Sequence, residues 1–209
     1  MTARARVKKR VGQLATETYR EAILEAAERA FLGAGYHQAK MSDVAREAGV
    51  SIGTLYNYFD SKEQVFSSLV EAGRAEFLAA LDVVDPSVSP LERAFAIVRS
   101  AMDHIEERGE LFAMYVQAGV VSEGDIGRVL GEHHETAYMQ YLQILESALA
   151  EAQTQSMLRG DVPAAILAGS LAGNVNAVVF RWMRSDRSTR LMDDCEIALD
   201  LFLRGAQHS

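Results

Sequence analysis

Apolar residues recur along most of this chain at spacings of three and four, the period of helices that bury one face. Residues 1–15 are the first exception: Arg4, Arg6, Lys8, Lys9 and Arg10 form a charge run with no apolar face, which predicts a flexible basic arm. From Thr16 the positions Tyr19, Ile23, Ala26, Ala27, Ala30 and Phe31 share one helical face, with Thr18 and Glu21 as a capping pair and Gly33 and Gly35 as the stop. A short helix is predicted over Ser42 to Ala48, ending at Gly49, and another from a Ser51 cap through Phe59. Ser61 caps a fourth, whose apolar side carries Val65, Phe66, Leu69, Phe77 and Leu81.

The clearest break is the run Asp85, Pro86, Ser87, Ser89, Pro90, because two close prolines cannot continue a helix interior. Beyond it Leu91, Phe95, Val98, Met102 and Ile105 resume the helical step, Gly109 interrupts it, and Leu111, Phe112, Tyr115 and Val116 restart it. A loop near Ser122 to Asp125 precedes a long helix predicted from Ile126 to Leu149. Gly160 to Pro163 is a further break with Asp161 as the expected cap, followed by an apolar helix from Ala164 to Met183. After a polar turn, Leu191, Cys195, Ala198, Leu199 and Phe202 make the last helix. No stretch alternates with period two, so the expected class is all-α, in about nine helices. The expected organisation is an arm at 1–15, a small domain at 16–62 and a larger one at 63–209, with a helix over 63–84 connecting the two.

Composition narrows the class. Of 209 residues, 49% are apolar and 24% charged, the balance of a globular protein rather than a disordered one. The lone Cys195 excludes an internal disulfide and a cysteine zinc cluster. The basic N-terminus has no apolar stretch behind it, unlike a secretory signal. No apolar run is expected to approach the ~18 residues that span a bilayer, so a soluble, cytoplasmic protein with no membrane partner is expected. Charge is uneven: residues 1–62 hold 10 Lys and Arg against 7 Asp and Glu, a net +3, and the remainder holds 11 against 22, a net −11. A basic front on an acidic rear fits a front that meets a polyanion, or a basic tail alone.

The informative stretch is KMSDVAREAGVSIGTLYNYFDSK, from Lys40 to Lys62. Two short helices meet at Gly49, and Val44, Ala45, Ala48, Val50 and Leu55 supply a small shared core. That is the composition of a helix-turn-helix, whose second helix enters a major groove; a plain helical hairpin has the same outline. Ser51, Ile52, Gly53 and Thr54 stand where backbone amides favour phosphate. Ile52 suits a thymine methyl, Asn57 suits adenine, Tyr56 and Tyr58 carry polar tips, and Lys62 suits a phosphate.

Roughly residues 1–66 resemble the TetR family of transcriptional regulators. The resemblance rests on Ile23, Ala26, Ala27, Phe31, Gly35 and Tyr36, on Val44, Ala45, Ala48, Gly49, Val50 and Ser51, and on Gly53 to Tyr56, Tyr58, Phe59 and Ser61 to Glu63. It implies an N-terminal DNA-binding domain and a C-terminal domain for effector binding and dimerisation. It also implies a homodimer on a palindromic double-stranded operator, usually as a repressor. Carried over to this chain, the DNA contacts are Lys40, Ser42, Ile52, Gly53, Thr54, Tyr56, Asn57, Tyr58 and Lys62. The family usually has Thr or Ser where this chain has Ala39 and Lys40, so a hydroxyl cap is missing there and Ser42 is the alternative cap.

In the rear, Ala165, Gly169, Gly173 and Ala177 recur every four residues and leave one helix face nearly bare. With Leu199 and Phe202 of the last helix they are the expected dimer surface. An effector cavity needs apolar walls and a few polar groups. The candidates are Met102, Phe112, Tyr115, Tyr138, Tyr141 and Leu142, with His104, His134 and Asn174 as polar points, although core packing is the commoner role of each such residue. The apolar content favours a hydrophobic small-molecule effector. Adjacent His133 and His134 point about 100° apart on a helix and do not make a metal face. No phosphate loop, nucleophile elbow or zinc-protease motif occurs, so neither a cofactor nor catalysis is expected. An effector-independent regulator or activator, or a helical enzyme or scaffold, is the competing outline.

Overall fold

The computed structural model describes residues 3–82, 85, 87–117, 137–185 and 187–207, with side chains from Thr16 onward except at residue 117. Among these residues there are nine α-helices and no strand. They are α1 (Ala3–Ala34), α2 (Met41–Glu47), α3 (Ile52–Tyr56), α4 (Lys62–Leu81), α5 (Pro90–Glu107), α6 (Gly109–Gln117), α7 (Ala137–Thr154), α8 (Ala164–Arg184) and α9 (Leu191–Ala206). They divide into two compact units, Met1–Gly73 and Arg74–Ser209, so the division falls inside α4 rather than at residue 62.

The first unit packs Ile23, Ala26, Ala27 and Phe31 of α1 against Val44 and Ala45 of α2, Leu55 of α3, and Val65, Phe66 and Leu69 of α4. Phe31 is the hub, with its ring 5.5 Å from Tyr36 and 6.1 Å from Phe66. The α2–α3 turn needs a left-handed residue, and Gly49 supplies it at φ +67°. Val50 then donates its amide to the Ala45 carbonyl at 3.0 Å, which closes the turn.

Helix boundaries differ from expectation in instructive ways. α1 begins at Ala3, not Thr16, so residues 3–15 continue the helix where a flexible arm was expected. The segment is built mostly from Ala, Arg, Lys, Gln and Leu, which sustain a helix; apolar periodicity is needed only where a helix must bury a face. Thr18 and Glu21 are consequently interior to α1, not a capping pair. Tyr19, placed on the inner face by its period, is exposed, because it stands one turn beyond Ile23, where the buried layer ends. α2 opens at Met41 with Ser42 inside it rather than capping it. The Asp43 carboxylate instead accepts the Lys40 amide at 3.0 Å. α3 stops at Tyr56, and the Tyr58 and Phe59 amides both turn back to the Leu55 carbonyl.

The second unit is built around α5, α7, α8 and α9. Its core joins Ile97, Val98 and Met102 to Tyr141, Leu145 and Leu149, Leu171, Val175 and Trp182, and Leu191, Cys195 and Leu199. Ser89 and Glu92 form a reciprocal cap at the start of α5, with Pro90 at its first position. Asp161 pairs with Arg159 at 2.6 Å, and Pro163 rather than Asp161 stands at the N-cap of α8. The loop at Ser122 to Asp125 and the helix start at Ile126 lie outside the described residues. Contrary to expectation, α8 is long and apolar enough to cross a membrane by length and composition. Its Leu167, Leu171, Val175, Val179 and Trp182 are buried in the unit's own core.

Candidate nucleic-acid interface

α3 is held from one side only. Leu55 is fully buried, whereas Ile52 and Tyr56 are 44% and 49% exposed and Gly53 and Asn57 are open as well. These four share the outer side of a five-residue helix and its C-cap, Asn57, and the helix is fixed at both ends. At its start, Ser51 Oγ accepts the Thr54 amide at 3.0 Å and pairs with the Thr54 hydroxyl at 2.8 Å. At its end, the Leu55 carbonyl collects the turn amides described above. Gly53 is not small for the sake of packing, because a Cβ there would meet only Ser51 Oγ at 3.8 Å. Its bare backbone faces outward.

The surrounding cations play two roles. Lys40 at the start of α2 is exposed, as is Ser42 beside it. Lys62, expected as a phosphate contact, gives its ammonium to three carbonyls instead: Tyr36 at 2.9 Å, His37 at 3.2 Å and Ala39 at 3.1 Å. It also sits 4.7 Å from the centre of the Tyr36 ring. An ammonium has three donors, so these contacts saturate it and make it a tie between α4 and the α1–α2 connection. Arg20, which sequence reasoning passed over, is a second tie. Its guanidinium donates to Ser68 Oγ at 2.7 Å and to the Tyr58 carbonyl at 3.4 Å, and lies 4.3 Å from the centre of the Phe59 ring. Tyr58 is half-buried and stacks on Tyr19 with centroids 6.1 Å apart. The only signal for Arg20 was its place one residue after Tyr19, just outside the apolar face.

The second unit splits its predicted residues between two places. On α8, Ala165, Gly169, Gly173 and Ala177 are exposed, together with Ile166. A Cβ at Gly169 or Gly173 would meet nothing within 4 Å, so the fold of one chain does not require either glycine. Leu199 and Phe202 are buried inside the same chain, with Phe202 packed 6.4 Å from Phe95, and so are not surface residues. The outward apolar residues of α9 are Ile197 and Leu201, 60% and 63% exposed. The period of α9 was read correctly but its inner stripe was taken for the outer one. The second stripe, two isoleucine-sized residues four apart among acids, was legible.

The effector candidates gather in part. Met102 and Tyr141 lie in the core, with Phe112, Tyr138 and Leu142 packed against it, and Tyr115 is buried on α6. Phe77 of α4, not among the candidates, links them: its ring meets His104 at 5.8 Å and Tyr141 at 6.1 Å, both edge to face. Burial holds the His104 imidazole below its ordinary pKa, against the opposing pull of Glu76. Burial likewise drives the Tyr141 phenol far above its usual range. Asn174 is exposed beside Gly173, away from this cluster, and His134 lies outside the described residues. A separate cleft of about 420 Å³ opens between Arg93 and Ile97 of α5 and Gln143 and Ile144 of α7; none of the candidates lines it. Among the described residues no three His, Cys, Asp or Glu side chains converge as a metal site would need.

Comparison with known proteins agrees with this geometry. Residues 23–69 match the family model described as bacterial regulatory proteins, tetR family. The chain is 23% identical over 186 residues to the fatty acid metabolism regulator protein of Bacillus subtilis, covering 88% of this chain and 93% of that one. It is 46% identical over 63 residues to the transcriptional repressor BepR of Brucella suis, covering 30% and 29% of the two chains. The crystal structure of FadR from Bacillus subtilis in complex with stearoyl-CoA superposes with a TM-score of 0.73 at 22% identity, covering 90% of this chain and 99% of that one.

Proposed function

The chain belongs to the TetR family of bacterial regulatory proteins, DNA-binding regulators of transcription, and from that premise we propose that it is a homodimeric repressor released from a palindromic operator by an apolar small molecule. The observation that carries the DNA reading is the outer side of α3, where Ile52, Gly53, Tyr56 and Asn57 stand free of the protein's own core. Ile52 and Gly53 approach base edges or sugar in the major groove, Asn57 reads an adenine, and Tyr56, Tyr58, Thr54 and Ser51 contact the backbone. Lys40 and Ser42 meet phosphate from α2. Lys62 and Arg20 position these groups rather than touching DNA.

The outward strips of α8 and α9 support the dimer. Ala165, Gly169, Gly173 and Ala177 let a second α8 approach closely, and Ile166, Ile197 and Leu201 give apolar area to bury. Two copies set two α3 helices at a spacing that must match successive major grooves, about 34–36 Å apart. The effector reading rests on the cluster around Phe77 and on the relative solved with stearoyl-CoA, which suggests a long-chain acyl compound. A protein that regulates bacterial transcription in this way works in the cytoplasm.

Gly53→Ala tests the DNA reading in two directions. The added methyl has room within the protein and favours helix, so stability is unchanged or rises by up to about 1 kcal/mol. Affinity for DNA flanking the chain's own gene, measured by fluorescence anisotropy across a salt series, falls at least tenfold. Unchanged affinity in a folded Gly53→Ala protein would sink the placement of α3 in the groove.

A further inference from the structure

A phenol without a partner lies at the centre of the second unit. Tyr141 is only 4% exposed, and its hydroxyl has no hydrogen-bond partner. Leaving such a group unsatisfied costs stability, and native cores carry very few. The ring is enclosed by aromatic and apolar groups: Phe77 at 6.1 Å, Tyr138 at 6.4 Å, and the core of α5, α7 and α9 behind it. Phenylalanine has the same shape without the penalty. The hydroxyl is therefore a net loss to the unliganded protein, unless something that binds completes it.

The surroundings restrict what that something is. Phe77 and Tyr138, whose rings meet Tyr141, are only half-buried, as are Ile105, Phe112 and Leu142 packed against the same core, so apolar surface of this region stays partly uncovered. Among the described residues, the cations nearby are already engaged. His104, on the other side of Phe77, is held neutral by burial. The Arg108 guanidinium pairs with Glu76 at 3.3 Å, and Arg74 donates to Gln140 at 3.0 Å. Tyr141 itself stays protonated, so it offers one neutral O–H donor. A carboxylate brought here would have to be desolvated and to compete with Glu76 for Arg108, which is disfavoured.

The geometry points to Tyr141 as the polar anchor of the effector site, donating its hydroxyl to a neutral carbonyl oxygen on an otherwise apolar ligand. An acyl thioester or an ester fits this chemistry; a free fatty acid does not. This inference rests on the effector reading above and sharpens it, from an apolar molecule to one whose buried end is an uncharged carbonyl.

Tyr141→Phe separates the two consequences, because they have opposite signs. Without ligand, the variant unfolds at a temperature equal to or above that of the wild type, since the stranded hydroxyl is gone. With decanoyl-CoA or methyl decanoate as probe, followed by isothermal calorimetry on the full-length dimer, its affinity falls about tenfold. Wild type binds both probes at least tenfold more tightly than decanoate. Binding of decanoyl-CoA alone identifies the nucleotide end as a further requirement while the carbonyl contact stands, provided Tyr141→Phe weakens it. Equal affinity of wild type and Tyr141→Phe for a probe that binds overturns the anchor but leaves the effector reading intact. Decanoate binding as tightly as the ester overturns the neutral-carbonyl restriction. Failure of wild type to bind any of the three overturns the acyl-effector reading itself, and this inference with it.

Discussion

The two units handle polar groups in opposite ways. In the first, half-buried cations are fastened: Lys62 is saturated by three carbonyls, and Arg20 joins α1 to Ser68, the Tyr58 carbonyl and the Phe59 ring. In the second, the Tyr141 hydroxyl is buried and unmet, and the outer faces of α8 and α9 carry apolar residues that a lone chain leaves wet. The contrast follows from the partners. DNA is a stiff polymer with a fixed groove spacing, so its reader gains by being rigid before contact. A unit that responds to a small molecule must differ in free energy between its empty and filled states, and an unsatisfied core group supplies such a difference.

The largest effects that bear on this contrast come from α9, where two neighbouring leucines have opposite fates. Leu199→Glu places an unpaired carboxylate in a core position that is 2% exposed, and a loss of more than about 4 kcal/mol is expected, enough to unfold many domains. The pair Ile197→Glu and Leu201→Glu touches only the outer stripe. Helical content by circular dichroism is retained, while sedimentation equilibrium shifts from dimer to monomer and operator affinity falls with it. If the outer pair stays dimeric, the α8–α9 face is not the subunit contact, and its exposed apolar residues need another explanation.

Much of this contrast was legible in the sequence, but unevenly. The first unit is read from positions: Gly49 must turn left-handed, Leu55 must point inward, and the residues around it must then point outward. Those rules involve neighbours within a dozen residues, so the pattern carries them. Lys62 shows where those rules stop. Its spacing suits a phosphate, but its actual partners, Tyr36, His37 and Ala39, lie more than twenty residues upstream and are brought to it only by the fold. In the second unit nearly all the information is of this non-local kind. Tyr141 is one aromatic among several at helical spacing, and no pattern distinguishes a satisfied phenol from a stranded one. Asn174 falls on an apolar helix, yet faces outward because α8 has two working sides, one for its own core and one left open. The helix at Ala3 to Ala15 was missed because its formation rests on backbone propensity rather than on a buried face.

An intermediate effect tests whether the first unit's cations are fasteners or readers. Lys62→Gln removes charge-assisted hydrogen bonds and is expected to lower unfolding stability by about 1.5–3 kcal/mol, measured by urea denaturation. Because the ammonium is already engaged, the salt dependence of DNA binding keeps its slope. A phosphate contact would instead reduce that slope by about 0.9 per protomer. A stable Lys62→Gln protein with a shallower slope would return Lys62 to the DNA interface.

The smallest effect lies in the second unit and depends on pH. Burial lowers the folded-state pKa of His104 below its ordinary value near 6.5, with Arg108 acting in the same direction and Glu76 and Glu107 opposing. The unfolded chain therefore takes up a proton at His104 before the folded chain does. By linkage, the stability tied to the neutral imidazole is fully present above about pH 6.5 and is lost as pH falls through the lowered folded value. Wild type should lose more stability than His104→Gln between pH 7.5 and 5.5, in parallel urea titrations. Because His104 is only half-buried, solvent screens the effect and keeps it below the other two. The same protonation would place a further cation beside Phe77, so the two pH values also probe the ligand site. If decanoate binds poorly at pH 7.5 and measurably at 5.5 in wild type but not in His104→Gln, the neutrality of that imidazole is what excludes carboxylates. Equal pH responses of the two proteins, in both stability and decanoate binding, would remove His104 from the site and leave Tyr141 as its polar group.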